Sequence, residues 1–356
     1  MNSTASSVLS IDLRAVAENY RRLKSFVLHP CVVSAVVKAN AYGLGVEEVT
    51  KTLEAAGADL FFVATIDEAI ELRKITDARI ATLNGYFRGA EREYEEFNII
   101  PVLCSVDEIE RWKTGKKCYW QVDTGMNRLG LRTEEFASAF AKAHIQPSLV
   151  ISHLACADIP SHAKNTEQLE KFSEIASEHP LLKYSLANSS GIFLGPEYHF
   201  NMVRPGMALY GLNPTPETQN PMQPVVKLDA RVLHVSKAKI GETTGYGASA
   251  RFYSDATIAT VSLGYADGFL RSGSNRASLY WQGVACPILG RVSMDLVTID
   301  LSDLPVSVLP PFPGDFMEVI GPNQTAEALA QDLGTIPYEV LTDLSRRSHR
   351  IYKSAA

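Results

Sequence analysis

Residues 32–45 read VVSAVVKANAYGLG. Val32–Val37 are apolar apart from Ser34, and the run stops at Lys38. Ala39–Gly45 then form a small, polar segment with two glycines. A short apolar run without polar alternation, bounded by a glycine-containing loop, reads as a strand packed on both faces. This strand ends on an ammonium group, so what surrounds it must explain both the burial and the charge.

Seven further β-rich runs follow at intervals: Leu60–Thr65, Arg79–Leu83, Ile99–Cys104, Tyr119–Asp123, Ser148–His153, Lys183–Asn188 and Met202–Tyr210. Most are separated by segments with helical spacing. VEEVTKTLEAAG ends on Gly57, and SVDEIERWKTG opens on Ser105 with Glu108 three residues on, a capping-box pattern. TEEFASAFAKA and NTEQLEKFSEIASEH are amphipathic with acidic first turns. Strands alternating with helices predict a parallel sheet. Eight such units in roughly 200 residues predict a closed (β/α)8 barrel of the TIM type. An open doubly wound sheet is the alternative, but no GxGxxG follows the first strand. GYGASA at Gly245 has only the first two glycines and reads as a turn.

The character changes after PTPETQNPMQP (Pro214–Pro224), whose four prolines read as a linker. The runs beyond it are short, β-branched and separated by Gly, Asp or Pro, which predicts a mostly-β second domain. The expected division is a barrel over 1–222 and a β-rich domain over 223–356, with residues 1–12 available to pair with the latter. A chain of 356 residues exceeds what one hydrophobic core usually supports.

Composition narrows the function classes. The chain is 46% hydrophobic and 21% charged with a net charge of −6, and it has no clustered basic stripe of the kind nucleic acid requires. Arg346, Arg347 and Arg350 read as a solvated C-terminal face. Five cysteines, odd in number and never in CxxC spacing, argue against a disulfide framework or zinc cluster and for a reducing compartment. MNSTASSVLS has no basic or apolar region of a signal peptide, and no apolar run reaches the ~18 residues of a membrane span. A cytoplasmic protein without membrane or nucleic-acid partners is expected.

In such a barrel the C-terminal strand ends hold the active site. Lys38, Arg128, His153, Asn188 and Ser189 fall at or just past strand ends, and Arg204 lies in the eighth strand. A lone lysine past a strand is most often solvated. Held in a low-dielectric barrel mouth it becomes a less basic amine, a nucleophile and a Schiff-base former. NSSGIF at Asn188 offers free N–H groups suited to a phosphate, and RPGMALYG supplies Arg204 and the close backbone approach of Gly206. The histidines show no metal-ligand spacing, so no metal is expected. A Schiff-base lysine beside a phosphate cradle suggests pyridoxal phosphate.

VVKANAYGLG resembles the cofactor-lysine signature of bacterial alanine racemases. DTGMNRLG, SHLACAD, LANSSG, VRPGMALYGL, GYADG, GRVSMD and PYEV resemble further motifs of that family, in family order, over essentially the whole chain. The family fold is a (β/α)8 barrel followed by a β-domain. The resemblance implies an isomerase that interconverts L- and D-alanine and supplies D-alanine for peptidoglycan. It implies that Lys38 carries pyridoxal 5'-phosphate as an internal aldimine and acts as one base. Tyr265, in GYADG, is then the opposing base, supplied by the second subunit of a homodimer. Arg204 faces the pyridine nitrogen. Tyr42, Ser189, Tyr338 and the backbone of Gly206 and Met207 hold the phosphate, with Asn188 nearby. Arg128 and the Met294 backbone bind the substrate carboxylate. His153 hydrogen-bonds Arg204 or Tyr265, and Asp295 lines the site from the partner subunit. One departure stands out. Many family members carry a carbamylated lysine two residues before the aspartate of DTGMNRLG, bonded to the arginine, and here that position is Gln121.

Two other readings compete. An amino-acid decarboxylase with the same domain pair would need a different second-domain site, and Tyr265 within GYADG argues against it. A non-catalytic pyridoxal-phosphate carrier would need only a barrel.

Overall fold

The computed structural model describes residues 4–354. The chain divides into two compact units. One is Arg14–Pro224. The other combines residues 4–13 with 225–354.

The first unit is the expected barrel. Its strands are Val32–Val33 continuing as Ala35–Val36, then Leu60–Val63, Arg79–Thr82, Ile99–Leu103, Tyr119–Asp123, Leu149–Ile151, Tyr184–Ser185 and Met202–Val203. They pair in parallel, for example Val36 opposite Phe62, Leu60 opposite Arg79 and Tyr119 opposite Leu149. The eighth strand returns to the first, with Met202 opposite Val32. The gap between seventh and eighth is bridged by Asn201 N–H to the Tyr184 carbonyl (3.0 Å) and Arg204 N–H to the Ala187 carbonyl (2.9 Å). The ring is therefore closed. The unbroken apolar runs follow from that closure, because side chains of both faces are buried: Leu60, Phe61, Phe62, Val102, Trp120, Val122 and Val150 are all inaccessible.

Most strands are shorter than the sequence predicts, the last two by the most. The seventh run, Lys183–Asn188, keeps only Tyr184–Ser185 in the ladder, and the eighth, Met202–Tyr210, keeps only Met202–Val203. Pro205 has no N–H to donate and Gly206 takes a non-strand conformation, so Met207–Tyr210 winds into a 3-10 turn instead. Ser190–Phe193 is likewise a 3-10 turn. Ser105 caps helix Val106–Arg111 through the Glu108 N–H (3.2 Å), but the Glu108 carboxylate reaches Cys104 N–H (2.8 Å) rather than the Ser105 N–H. A full capping box stands instead at Thr65 and Glu68, ahead of helix Ile66–Arg73. The proline-rich linker is clasped by buried Asn19, whose amide donates to the Gln223 carbonyl (2.9 Å) and accepts from its N–H (2.8 Å).

The second unit is a β-sheet unit with two helices, Ala326–Leu333 and Pro337–Thr342. Its long strand, Val226–Ala238, pairs antiparallel with Ser7–Asp12, Phe316–Ile320 and Ala256–Val261, with a register shift between Val232 and His234. Ser7–Asp12 also pairs in parallel with His349–Lys353. No helix among the described residues is long and apolar enough to cross a membrane.

Candidate functional site

Lys38 follows the first barrel strand, and the chain then does something L-residues rarely do. Ala39, Asn40, Ala41 and Tyr42 all adopt φ of 53 to 55°, a left-handed turn without a glycine until Gly43. Each such residue costs about 1–2 kcal/mol. Alanines keep the crowding small, and asparagine tolerates this region better than most residues. Internal bonds hold the turn: Ala41 N–H to the Val37 carbonyl (2.9 Å), Gly43 N–H to the Ala39 carbonyl (2.7 Å) and Val46 N–H to Asn40 Oδ1 (2.8 Å). From outside, Glu68 Oε1 accepts from the Ala39 N–H at 2.7 Å. The Lys38 amine is half-buried, and its pKa is lowered, first by burial and then by the Arg128 charge, against an opposing pull from Glu68.

The turn delivers Tyr42 back to the barrel mouth. Its ring packs on Tyr210, centroids 4.7 Å apart, and its hydroxyl abuts Gly206, where any Cβ would overlap it. Ser189 Oγ, buried beside them, accepts from the N–H of Gly206 (2.9 Å) and of Ala208 (3.3 Å). Asn188 turns inward on its own loop, Oδ1 accepting from Gly191 N–H at 2.9 Å. A hydroxyl, a second hydroxyl and backbone donors thus converge where only a glycine fits, which suits a phosphate. Met207 opens the 3-10 turn that follows.

Arg204 is 5% exposed. Its Nη1 donates to the carbonyl and hydroxyl of Ser185 (2.8 and 2.5 Å) and its Nη2 to the Ser152 carbonyl (2.5 Å). Burial lowers it to about 10, so it stays cationic. Its hydrogen-bond partners are neutral oxygens, and no carboxylate pairs with it among the described residues. Buried charges ordinarily have a partner, so this guanidinium has room for a further acceptor. Of the two partners expected for His153, Arg204 makes no hydrogen bond with it among the described residues: Nη1 and Nη2 are given to serine oxygens, and the Arg204 charge disfavours the protonated imidazole. Desolvation, then Arg204, Arg128 and Lys38, lower the His153 imidazole to about 3. Buried Gln168 fixes this loop, donating to the His153 carbonyl (2.9 Å) and to Thr124 Oγ1 (3.1 Å).

Arg128 stands in the loop after the fifth strand. The Asp123 carboxylate accepts from the N–H groups of Gly125, Met126 and Arg128 at 2.8–3.0 Å. Burial alone would raise this carboxyl, but the backbone donors bring it below its ordinary value. The loop returns as Leu131–Arg132 against Val122–Asp123. Gln121, buried, donates its amide to the Leu129 carbonyl at 2.8 Å and makes no bond to the Arg128 side chain.

The remaining candidates lie in the β unit. Tyr265 opens a 3-10 turn, its N–H bonded to the Ser293 carbonyl (3.1 Å), while Ala266 N–H donates to the Met294 carbonyl (3.0 Å). Tyr265 and Met294 are 45% and 53% exposed, and the Met294 N–H has no acceptor among the described residues. Asp295 is joined to Arg347 at 2.8 Å, and Arg347 also reaches Asp267 at 3.4 Å. This corrects the expectation of a merely solvated C-terminal arginine: Arg347 ties the Tyr265 turn to Asp295. Tyr338 is partly exposed near the start of helix Pro337–Thr342. Glu68 and Arg347 are thus the residues the sequence reading missed. The spacing Thr65-x-x-Glu68 was a visible signal for the first. A pairing across 52 and 80 positions left none for the second.

A closed barrel with a lysine and a phosphate-type cradle at its mouth, joined to a β unit, defines a barrel-plus-β-domain enzyme architecture. The profile of the alanine racemase N-terminal domain matches residues 11–214 and that of the C-terminal domain residues 225–352. An alanine racemase of Rhodospirillum rubrum is 45% identical across 98% of this chain and 96% of its own. A protein of Agrobacterium fabrum named as a catabolic alanine racemase is 44% identical over 98% and 92%. Among solved structures, the Bartonella henselae alanine racemase with covalently bound pyridoxal phosphate superposes with a TM-score of 0.92 at 42% identity, over 98% of this chain and 99% of that one. The biosynthetic enzyme of Pseudomonas aeruginosa gives 0.90 at 32% identity. The chain belongs to the alanine racemase family.

Proposed function

We infer that the protein interconverts L- and D-alanine with pyridoxal 5'-phosphate by a two-base mechanism. The observation that supports this best is the joining, at one barrel mouth, of a lysine of lowered basicity to the Tyr42, Ser189 and Gly206 cradle. The cofactor, when bound, supplies an aldehyde for an amine and an electron sink that acidifies the substrate Cα–H. Everything else falls to the chain. Lys38, its ammonium form disfavoured by burial, takes or returns a proton on one face of Cα. Tyr265 does the same on the other, so the substrate need not turn over. A free phenol has a pKa near ~10 and needs neighbouring cations to act as a base near neutrality. Tyr42, Ser189, Tyr338 and the Gly206 and Met207 backbone bind the phosphate, with Asn188 shaping its loop. Arg204, a cation without an anionic partner, takes the pyridine nitrogen as acceptor. Arg128 and the Met294 N–H bind the substrate carboxylate, and Asp295 lines that side of the site. His153 stays neutral under burial and the charges of these cations.

We read the active species as a homodimer in which Tyr265, Met294 and Asp295 serve the other subunit's Lys38. We place it in the cytoplasm, supplying D-alanine for peptidoglycan; restored growth of a D-alanine auxotroph would support that role, and its absence would count against it. The decisive test is chemical. Purified protein with L-alanine should lose optical rotation, and borohydride should fix the cofactor to Lys38. Lys38→Ala should abolish both, and racemisation surviving that change would overturn the reading.

A further inference from the structure

The left-handed turn after Lys38 cannot hold itself entirely. The N–H groups of Ala41, Gly43 and Gly45 find carbonyls within the segment, but the Ala39 N–H, the first after the lysine, does not. It donates to Glu68 Oε1 at 2.7 Å. The other carboxylate oxygen accepts from the N–H groups of Ala64 (2.7 Å) and Thr65 (3.4 Å), directly after the second barrel strand. A capping box requires only the Thr65 contact. The bond to Ala39 lies outside that duty and joins the C-terminal ends of two adjacent strands.

We propose that Glu68 is a positioning residue for Lys38: by holding the Ala39 N–H it fixes the left-handed turn, sets where the amine stands at the barrel mouth, and balances its charge. This rests on the reading that Lys38 carries the cofactor. The charged and titratable groups acting around Lys38 are Arg128 after the fifth strand, Glu68 after the second and His153 after the sixth, the last also acted on by Arg204. Burial and Arg128 lower the lysine, and Glu68 is the opposing charge. Its removal therefore moves the nitrogen's titration to lower pH.

The test compares Glu68→Gln and Thr65→Ala holoenzymes with the parent. Thr65→Ala removes the hydroxyl that accepts from Glu68 N–H at 3.3 Å, and leaves the Glu68 carboxylate in place. Glu68→Gln should speed amide exchange over residues 39–43 roughly tenfold, the loss of a bond to a charged acceptor. It should also move the pH midpoint of the bound cofactor's visible absorption downward. Thr65→Ala should leave both as in the parent. If Glu68→Gln behaves as the parent, or Thr65→Ala reproduces its effects, the inference falls and Glu68 is only a helix cap. Should Glu68→Gln fail to fold, Glu68→Asp draws the carboxylate back by one methylene and should show the same faster exchange; parent-like exchange there defeats the proposal too. Borohydride reduction and peptide mapping of the same samples separate the two levels. A label at Lys38 with unchanged exchange in the variants defeats this inference alone, whereas a label elsewhere in the parent defeats the reading beneath it.

Discussion

At the scale of single residues, charge is the organising quantity. Burial lowers the His153 pKa first, and three cations, Arg204, Arg128 and Lys38, add to it, bringing the ring to about 3 from an ordinary 6.5. The neutral imidazole is the form that such company permits. A histidine-resolved NMR titration should find His153 titrating near pH 3, and a midpoint near 6.5 would show the ring to be solvated. Below pH 6.5 the unfolded chain protonates this group and the folded chain does not. Stability from His153 is therefore intact above 6.5 and declines as pH falls toward 3, and a His153→Gln variant should show a shallower acid decline over that window. Gln121 stands where many family members carry a carbamylated lysine. A carboxamide has no amine to add carbon dioxide, and its N–H is already given to the Leu129 carbonyl. Racemisation should therefore be independent of added bicarbonate; a strong requirement for it would mean another group acquires the carbamate.

At the scale of elements, the strand ends do the positioning. Six of the eight barrel strands were legible because their apolar runs are buried on both faces, a pattern that survives without knowledge of the partners. The last two were overextended because Pro205 and Gly206 break the ladder in a segment whose hydrophobicity continues through Met207–Tyr210. Lys38 and Ser189 could be placed at strand ends from spacing alone, whereas Arg204 reads as lying within the eighth strand and falls just past its end only because that strand stops at Val203. The left-handed turn could not, since nothing in Ala-Asn-Ala-Tyr declares its handedness until Glu68 and Gly206 are brought beside it. Gly206 tests that assembly. A Cβ there meets the Tyr42 hydroxyl and ring, and Tyr42 cannot retreat freely from its packing on Tyr210. Gly206→Ala should weaken pyridoxal phosphate binding roughly tenfold, within the ~1–3 kcal/mol typical of overpacking. Thermal stability should fall as well, since Gly206, Tyr42 and Tyr210 are all buried. Equilibrium titration of the resolved protein with cofactor measures the first and calorimetry the second; an unchanged affinity would detach Tyr42 from the phosphate.

At the scale of the whole molecule, the proposed bases are divided between the two units. Lys38 belongs to Arg14–Pro224, and Tyr265 to the unit that Ser7–Asp12 completes as a strand beside Val226–Ala238. Two arrangements would satisfy a two-base reaction: both bases from one chain, or one from each of two chains around a symmetry axis. They differ in a mixing experiment. Lys38→Ala and Tyr265→Ala proteins, each inactive alone, are combined and allowed to exchange subunits. If the bases come from one chain, no site in any mixed species has both, and the mixture stays inactive. If they come from two chains, each mixed dimer contains one site lacking both bases and one site with both intact. Random exchange of equal amounts makes half the dimers mixed with one working site in two, so the mixture should recover about a quarter of wild-type activity. The recovered activity should appear on the time scale of subunit exchange and should not depend on which variant is in slight excess by more than the loss of mixed dimers. A mixture that remains inactive, while sedimentation shows that mixed dimers have formed, would return Tyr265 to its own chain's Lys38 and remove the reason for a dimeric active unit.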